Sequence, residues 1–123
     1  MDKIAKGLRF LVVEDEMMVL LMIEDMLAEL GCEVTASAAS AQQALERLAT
    51  QPFDAALLDM NLNGETSEAV AQALVALGTP FIFCTGGDIQ DVPPKFLGHP
   101  FLRKPFSYED LANKVAQLHL KVE

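Results

Sequence analysis

Leu8-Arg9-Phe10-Leu11-Val12-Val13-Glu14-Asp15-Glu16 runs apolar as far as Val13 and then turns abruptly acidic. An apolar run without strict alternation predicts a strand covered on both faces, the kind found inside a parallel sheet. Glu16 to Leu30 then carries a helical pattern and meets Gly31, the residue best suited to a left-handed helix end. A buried strand, an acidic corner and a helix make the opening of an α/β unit.

The alternation continues along the chain. Glu33 to Ser37 is short and partly polar, as an edge strand would be, and Ser40 with Gln43 forms a capping box for a helix carrying Ala44, Leu45 and Leu48. Pro52 and Phe53 lead into Asp54 to Leu58, the most central-looking strand. After a polar turn, Glu65 to Leu77 places Ala69, Val70, Ala73, Leu74 and Leu77 at helical spacing and ends at Gly78. Pro80 to Cys84 and His99 to Leu102 read as the fourth and fifth strands. Ser107 caps a last helix whose Leu111, Val115 and Leu118 share a face. Strands alternating with helices predict an α/β fold built on a parallel sheet. One connection breaks the rhythm: Gly86 to Pro100 holds three glycines and three prolines, including Pro93-Pro94. Proline removes a helical donor and disfavours a helical residue before it, so this segment is expected to be irregular and mobile, with the fourth crossover helix weak or absent.

Composition narrows the function. At 123 residues the chain fits one domain, 1–123, with no room for a separate output module. A formal net charge of −9, from 18 acids against 9 basic residues, leaves no basic stripe for displacing counterions from a nucleic acid. The longest apolar run, Met17 to Ile23, is too short to span a membrane, and the first residues lack a signal-peptide pattern. A cytoplasmic protein is expected. Two cysteines make neither a disulfide framework nor a metal cluster; Cys84, in an apolar run, and Cys32 read as core residues.

In a parallel sheet all strands finish at one edge, and ligands bind there where the strand order reverses. Glu14 and Asp15 follow the first strand and Asp59 follows the third. If those strands are neighbours, three carboxylates share one crevice, which costs stability unless a cation sits among them. Oxygen ligands without histidine or cysteine favour Mg²⁺. Taken singly each acid has a plainer reading: Asp15 as a helix cap, Asp59 as the start of an Asx-turn with Asn61 and Asn63. Thr85 and Lys104 follow the fourth and fifth strands at the same edge and supply a hydroxyl and an ammonium. A carboxylate nucleophile, a divalent cation and two donors suit phosphoryl transfer, whose loose transition state needs positioning and neutralised oxygens.

These residues resemble the receiver domain of two-component response regulators, the CheY-like family. The likeness covers nearly the whole chain and is carried by Leu11-Val-Val-Glu-Asp-Glu16, Leu57-Leu-Asp-Met-Asn61, Thr85 and Lys104-Pro105. It implies a doubly wound, flavodoxin-like sheet of five parallel strands in the order 2-1-3-4-5. It implies that Asp59 is phosphorylated by a sensor histidine kinase and that the protein is a phosphoacceptor assisting its own phosphorylation and dephosphorylation, not an enzyme. Mg²⁺ would be held by Asp15, Asp59 and the backbone carbonyl of Asn61, with Glu14 acting through water. Lys104 would contact the phosphoryl group and be followed by a cis Lys104–Pro105 bond, while Thr85 and Phe101 would form the switch pair. Asn63 stands where a proline is frequent in the family. Phe83-Cys-Thr-Gly-Gly87 is similar to the Phe-Ala-Thr-Gly signature of the FATGUY class, often paired with HWE-type kinases.

Two other readings compete. A haloacid-dehalogenase-like phosphatase also uses a strand-end aspartate but needs a second aspartate two residues on; Asn61 cannot protonate a leaving group. A pseudo-receiver would bind partners without phosphorylation, against which stand the intact Glu14, Asp15, Asp59, Thr85 and Lys104. Met17, Met18, Val19, Leu20, Leu21, Met22 and Ile23 either pack fully against the sheet or leave methionines exposed to dock a kinase. Output is expected through contact with a downstream protein or as a phosphate sink, with the 86–100 segment ordering on phosphorylation.

Overall fold

The computed structural model describes residues 7–86, 94–96 and 98–119. Its elements run β1 (Arg9–Val13), α1 (Met17–Glu29), β2 (Glu33–Ala38), α2 (Ala41–Thr50), β3 (Ala55–Asp59), β4 (Asn61–Leu62), β5 (Glu65–Thr66), α3 (Glu68–Leu77), β6 (Phe81–Thr85), β7 (Phe101–Arg103) and α4 (Tyr108–His119). Five strands form a parallel sheet in the order β2-β1-β3-β6-β7. That is the order 2-1-3-4-5 once the small antiparallel ribbon β4–β5 is left out of the count. The architecture is the CheY-like α/β sandwich, and β1 and β3 are adjacent.

Two cores lie on opposite faces of the sheet. Phe10, Val12, Leu57, Ile82 and Leu102 pack against Ile23 and Leu27 of α1 and Leu111, Val115 and Leu118 of α4. Leu11, Val13, Leu58, Phe81 and Phe83 pack against Ala44 of α2 and Val70, Ala71 and Leu74 of α3. Successive strand residues thus serve opposite faces, and both faces are covered, which explains why β1, β3 and β6 read as unbroken apolar runs. Gly31 and Gly78 both take positive φ at helix ends, 93° and 73°, where a side chain would be strained. Ser40 Oγ accepts from the Gln43 N–H at 3.1 Å, and Ser107 and Asp110 cap each other reciprocally. No helix among the described residues is long and apolar enough to cross a membrane.

Several boundaries differ from the sequence reading. β3 and β6 each sit one residue later, because Asp54 ties its carboxylate to the Arg9 main chain while Asp59 pairs with Cys84 and Thr85 with Arg103. α3 begins at Glu68, since Glu65 and Thr66 belong to the ribbon, and its buried face is Val70, Ala71 and Leu74; Ala69 and Leu77 are exposed. β7 starts at Phe101 because the His99 N–H is taken by the Phe96 carbonyl. The fourth α-helix, α4, is well formed and ends the described chain. Between β6 and β7 the described residues hold one 3₁₀ turn, Pro94–Phe96; the expectation of a mobile segment falls largely on 87–93 and 97, outside the described residues.

Candidate functional site

The carboxyl ends of β1, β3, β6 and β7 meet in an open cavity of about 830 Å³ lined by Asp15, Asp59, Asn61, Thr85 and Lys104 among others. Glu14 and Asp15 leave β1, and Asp59 closes β3. Because β1 and β3 are hydrogen-bonded neighbours, one carboxylate oxygen from each of Glu14, Asp15 and Asp59 lies within 4.8 Å of the others. Glu14 is 2% exposed and Asp59 6%. Such a concentration of buried negative charge demands cations.

One cation comes from the chain itself. Lys104, just past β7, donates from Nζ to Glu14 Oε1 and to Asp59 Oδ2, both at 2.8 Å. Its main chain is fixed as well: the Lys104 N–H donates to the Thr85 carbonyl at 2.7 Å, and the Lys104–Pro105 peptide is cis. Burial alone would lower the Lys104 pKa; hydrogen bonds to Asp59 and Glu14, with their charges, outweigh it and raise the pKa above the usual lysine value. Burial moves Glu14 the other way, lifting its pKa above the ordinary glutamate value despite the bond to Lys104, and the charge of Asp59 adds to the rise. Among the described residues, one ammonium thus faces three carboxylates. An all-oxygen donor set of this charge fits a hard divalent cation such as Mg²⁺.

Main-chain donors hold the acids in place. The Glu16 N–H donates to Glu14 Oε2 and the Asn61 N–H to Asp59 Oδ1, each at 3.1 Å. Thr85, the last residue of β6, is 6% exposed and lines the cavity beside Lys104 and Gly86. Phe101 lies on β7 directly opposite Phe83 of β6 and packs, half-buried, on the α2–α3 side of the sheet. Glu14, Asp15, Asp59, Thr85 and Lys104 thus meet at one site, while Phe101 stands two strand residues back from the level of Thr85.

Sequence reasoning missed the ribbon. Asn63-Gly64, flanked by Leu62 and Glu65, is a two-residue hairpin signal in its own right, hidden because Glu65 fits the start of the following helical pattern. It also missed the ion pair of Lys95 Nζ with Glu68 Oε2, 2.8 Å, which joins the 3₁₀ turn to the first turn of α3. Both cysteines are buried and unbridged, and burial pushes the Cys32 thiol up to about 11 and the Cys84 thiol higher, so neither is primed for nucleophilic chemistry.

On α1 the question left open by the sequence has an answer. Ile23 and Leu27 are buried, but Met17 is 66% and Met18 78% exposed, with Leu21 and Met22 beside them in solvent.

Comparison with known proteins agrees with this fold. The solution structure of SdrG from Sphingomonas melonis Fr1 superposes with a TM-score of 0.83 at 39% identity, covering 91% of this chain and 96% of that one. SdrG in its BeF3-activated conformation matches at 0.79 and 37% identity, covering 91% and 98%. The receiver domain of PhyR from Erythrobacter litoralis shares the fold, at 0.79 and 22% identity over 96% and 93%. No curated protein sequence matches the chain. The model of the response regulator receiver domain matches residues 10–116, and the chain belongs to that family.

Proposed function

We propose that the protein is a phosphoacceptor of two-component signalling, in which Asp59 takes a phosphoryl group from the phosphohistidine of a sensor kinase of the HWE type. The observation that carries this is the Lys104 ammonium shared between Glu14 and Asp59 at 2.8 Å each, at the mouth of a solvent-open cavity. Asp59 Oδ1 and Oδ2 are both held, so the carboxylate is oriented before a donor arrives. An Asp59 oxygen attacks phosphorus, the phosphorus–nitrogen bond breaks, and the imidazole leaves with the electron pair. Lys104 then turns from the carboxylate pair to a phosphoryl oxygen, and the Thr85 hydroxyl donates to another. Asp15, Asp59 and the Asn61 carbonyl would hold Mg²⁺, with Glu14 acting through water; the ion would supply neutralisation of the equatorial oxygens.

Phosphorylation adds about two negative charges. Thr85 is drawn toward them, and Phe101 follows into the space vacated on its side of β6. The exposed Met17, Met18, Leu21 and Met22 give the kinase an adaptable apolar surface at the start of α1. The signal then passes by altered protein contacts, either as a relay or as a sink competing for the kinase. The likeness to SdrG, for which a BeF3-activated conformation is known, supports the same chemistry here.

The test is addition of beryllofluoride with Mg²⁺ while backbone amide shifts are recorded. Saturable changes at Asp59, Thr85 and Lys104, absent in Asp59→Asn, are expected. A spectrum insensitive to the mimic in the wild type would remove the proposal.

A further inference from the structure

The β4–β5 ribbon has a geometry of its own. Asn63 and Gly64 at its tip take positive φ, 56° and 88°, the pair of conformations a type I′ turn requires. Counting back from the two-residue turn, Leu62 and Glu65 exchange hydrogen bonds, and Asn61 and Thr66 form the next, non-hydrogen-bonded pair. The Ser67 N–H to Met60 carbonyl bond, 3.2 Å, fixes that phase. Asn61 therefore turns both main-chain groups away from Thr66. Its N–H reaches Asp59 Oδ1, and because a strand residue's N–H and C=O lie on the same side, its carbonyl is turned toward the cavity that Asn61 lines. Meanwhile its side-chain Oδ1 accepts the Gly64 N–H at 2.8 Å, tying the turn back to the residue before Leu62. Leu62 itself is buried in the same core as Leu58 and Val70.

The geometry points to Asn61 as a positioning residue: its side chain locks the Asn63-Gly64 turn, and the locked ribbon presents the Asn61 main-chain carbonyl to the cation that Asp15 and Asp59 hold. This rests on the Mg²⁺-dependent reading above and concerns how the loop is held in shape. A proline would stiffen such a loop through its ring. Here a two-residue turn and one side-chain bond do that work, and the carbonyl is oriented before the ion arrives.

Mg²⁺ titrations of the full chain, followed by amide chemical shifts, test it with three variants. Asn61→Ala removes the lock but keeps the carbonyl. Gly64→Ala strains the turn through φ alone, since a Cβ there meets nothing within 4 Å. Asn63→Gly keeps a residue that accepts positive φ. Asn61→Ala and Gly64→Ala should each bind Mg²⁺ about fivefold more weakly, roughly the worth of one net hydrogen bond. Asn63→Gly should stay within about twofold of wild type by the same measure. The Glu65 amide, bonded across the ribbon, should exchange faster in the first two variants and not in the third. Wild-type affinity in both Asn61→Ala and Gly64→Ala, or an equal loss in Asn63→Gly, would overturn the positioning role while leaving the metal site standing. A wild type that binds no Mg²⁺ would overturn the metal-dependent reading itself, and the ribbon's role with it.

Discussion

Replacing Lys104 with Met removes the ammonium between Glu14 and Asp59 and leaves two buried carboxylates facing each other. Breaking a buried ion pair from one side costs about 3–5 kcal/mol when both groups are fully enclosed. The Lys104 side chain is 20% exposed, so water softens the loss, and about 2–3 kcal/mol at neutral pH is the expected figure. For a chain of this size each kcal/mol moves Tm by roughly 3–5 °C, which makes the expected drop about 10 °C. The pH dependence has a definite sign. Without Lys104 the Glu14 carboxyl rises further above the elevation it already has from burial, because the hydrogen bond that opposed the rise is gone. A carboxyl raised in the folded state contributes stability below its unfolded pKa and loses it as pH climbs through the folded value. The deficit of Lys104→Met should therefore be small near pH 4, grow toward neutrality, and shrink again when Mg²⁺ supplies the missing positive charge. Thermal unfolding followed by circular dichroism at acid and neutral pH, with and without Mg²⁺, measures each part. A deficit that is the same at both pH values and indifferent to Mg²⁺ would refute the view that Lys104 offsets the carboxylate pair.

Other consequences are simpler to check. Ser67 Oγ is buried without a hydrogen-bond partner among the described residues, so Ser67→Ala should leave stability unchanged or raise it by up to about 1 kcal/mol in denaturant titration. Phe96 is buried and meets Phe83 edge-on at 5.4 Å; Phe96→Ala should cost about 3–4 kcal/mol in the same titration, the loss expected of an emptied aromatic site. Met18→Ser should leave Tm unaltered while slowing phosphotransfer from a kinase several-fold, and equal rates would argue against docking on α1. The Arg9 guanidinium, hydrogen-bonded to Asp54, holds that carboxyl below its usual range. A depressed carboxyl stabilises above its unfolded pKa and ceases to as pH falls through the folded value, so the small Tm loss of Asp54→Asn should vanish in acid.

The fold was legible because its signals were redundant. Apolar strands ending in Glu14-Asp15, Asp59 and Thr85 had to share an edge once the sheet was parallel, and the helix ends at Gly31 and Gly78 were marked by residues that accept positive φ. The site was legible for the same reason, each residue lying at a strand end. What escaped was set by tertiary competition. Glu65 and Thr66 suit a helix start locally, but the Asn63-Gly64 turn claims them for the ribbon. Ala69 and Leu77 share a helical stripe with Val70 and Leu74, yet the sheet accepts only the face centred on Val70, Ala71 and Leu74. Exposure of the α1 methionines could not be read from their order, since an all-apolar helix fits a buried face and a docking face equally well.

The central claim is that Asp59 takes the phosphoryl group. The most direct measurement is phosphotransfer from an autophosphorylated histidine kinase in Mg²⁺, with the labelled residue located by mass spectrometry in the wild type and Asp59→Asn. One phosphoryl group on Asp59, acid- and base-labile as an acyl phosphate, and none in the variant is the expected result. Labelling of the variant at the wild-type rate, or of the wild type at another residue, would contradict it.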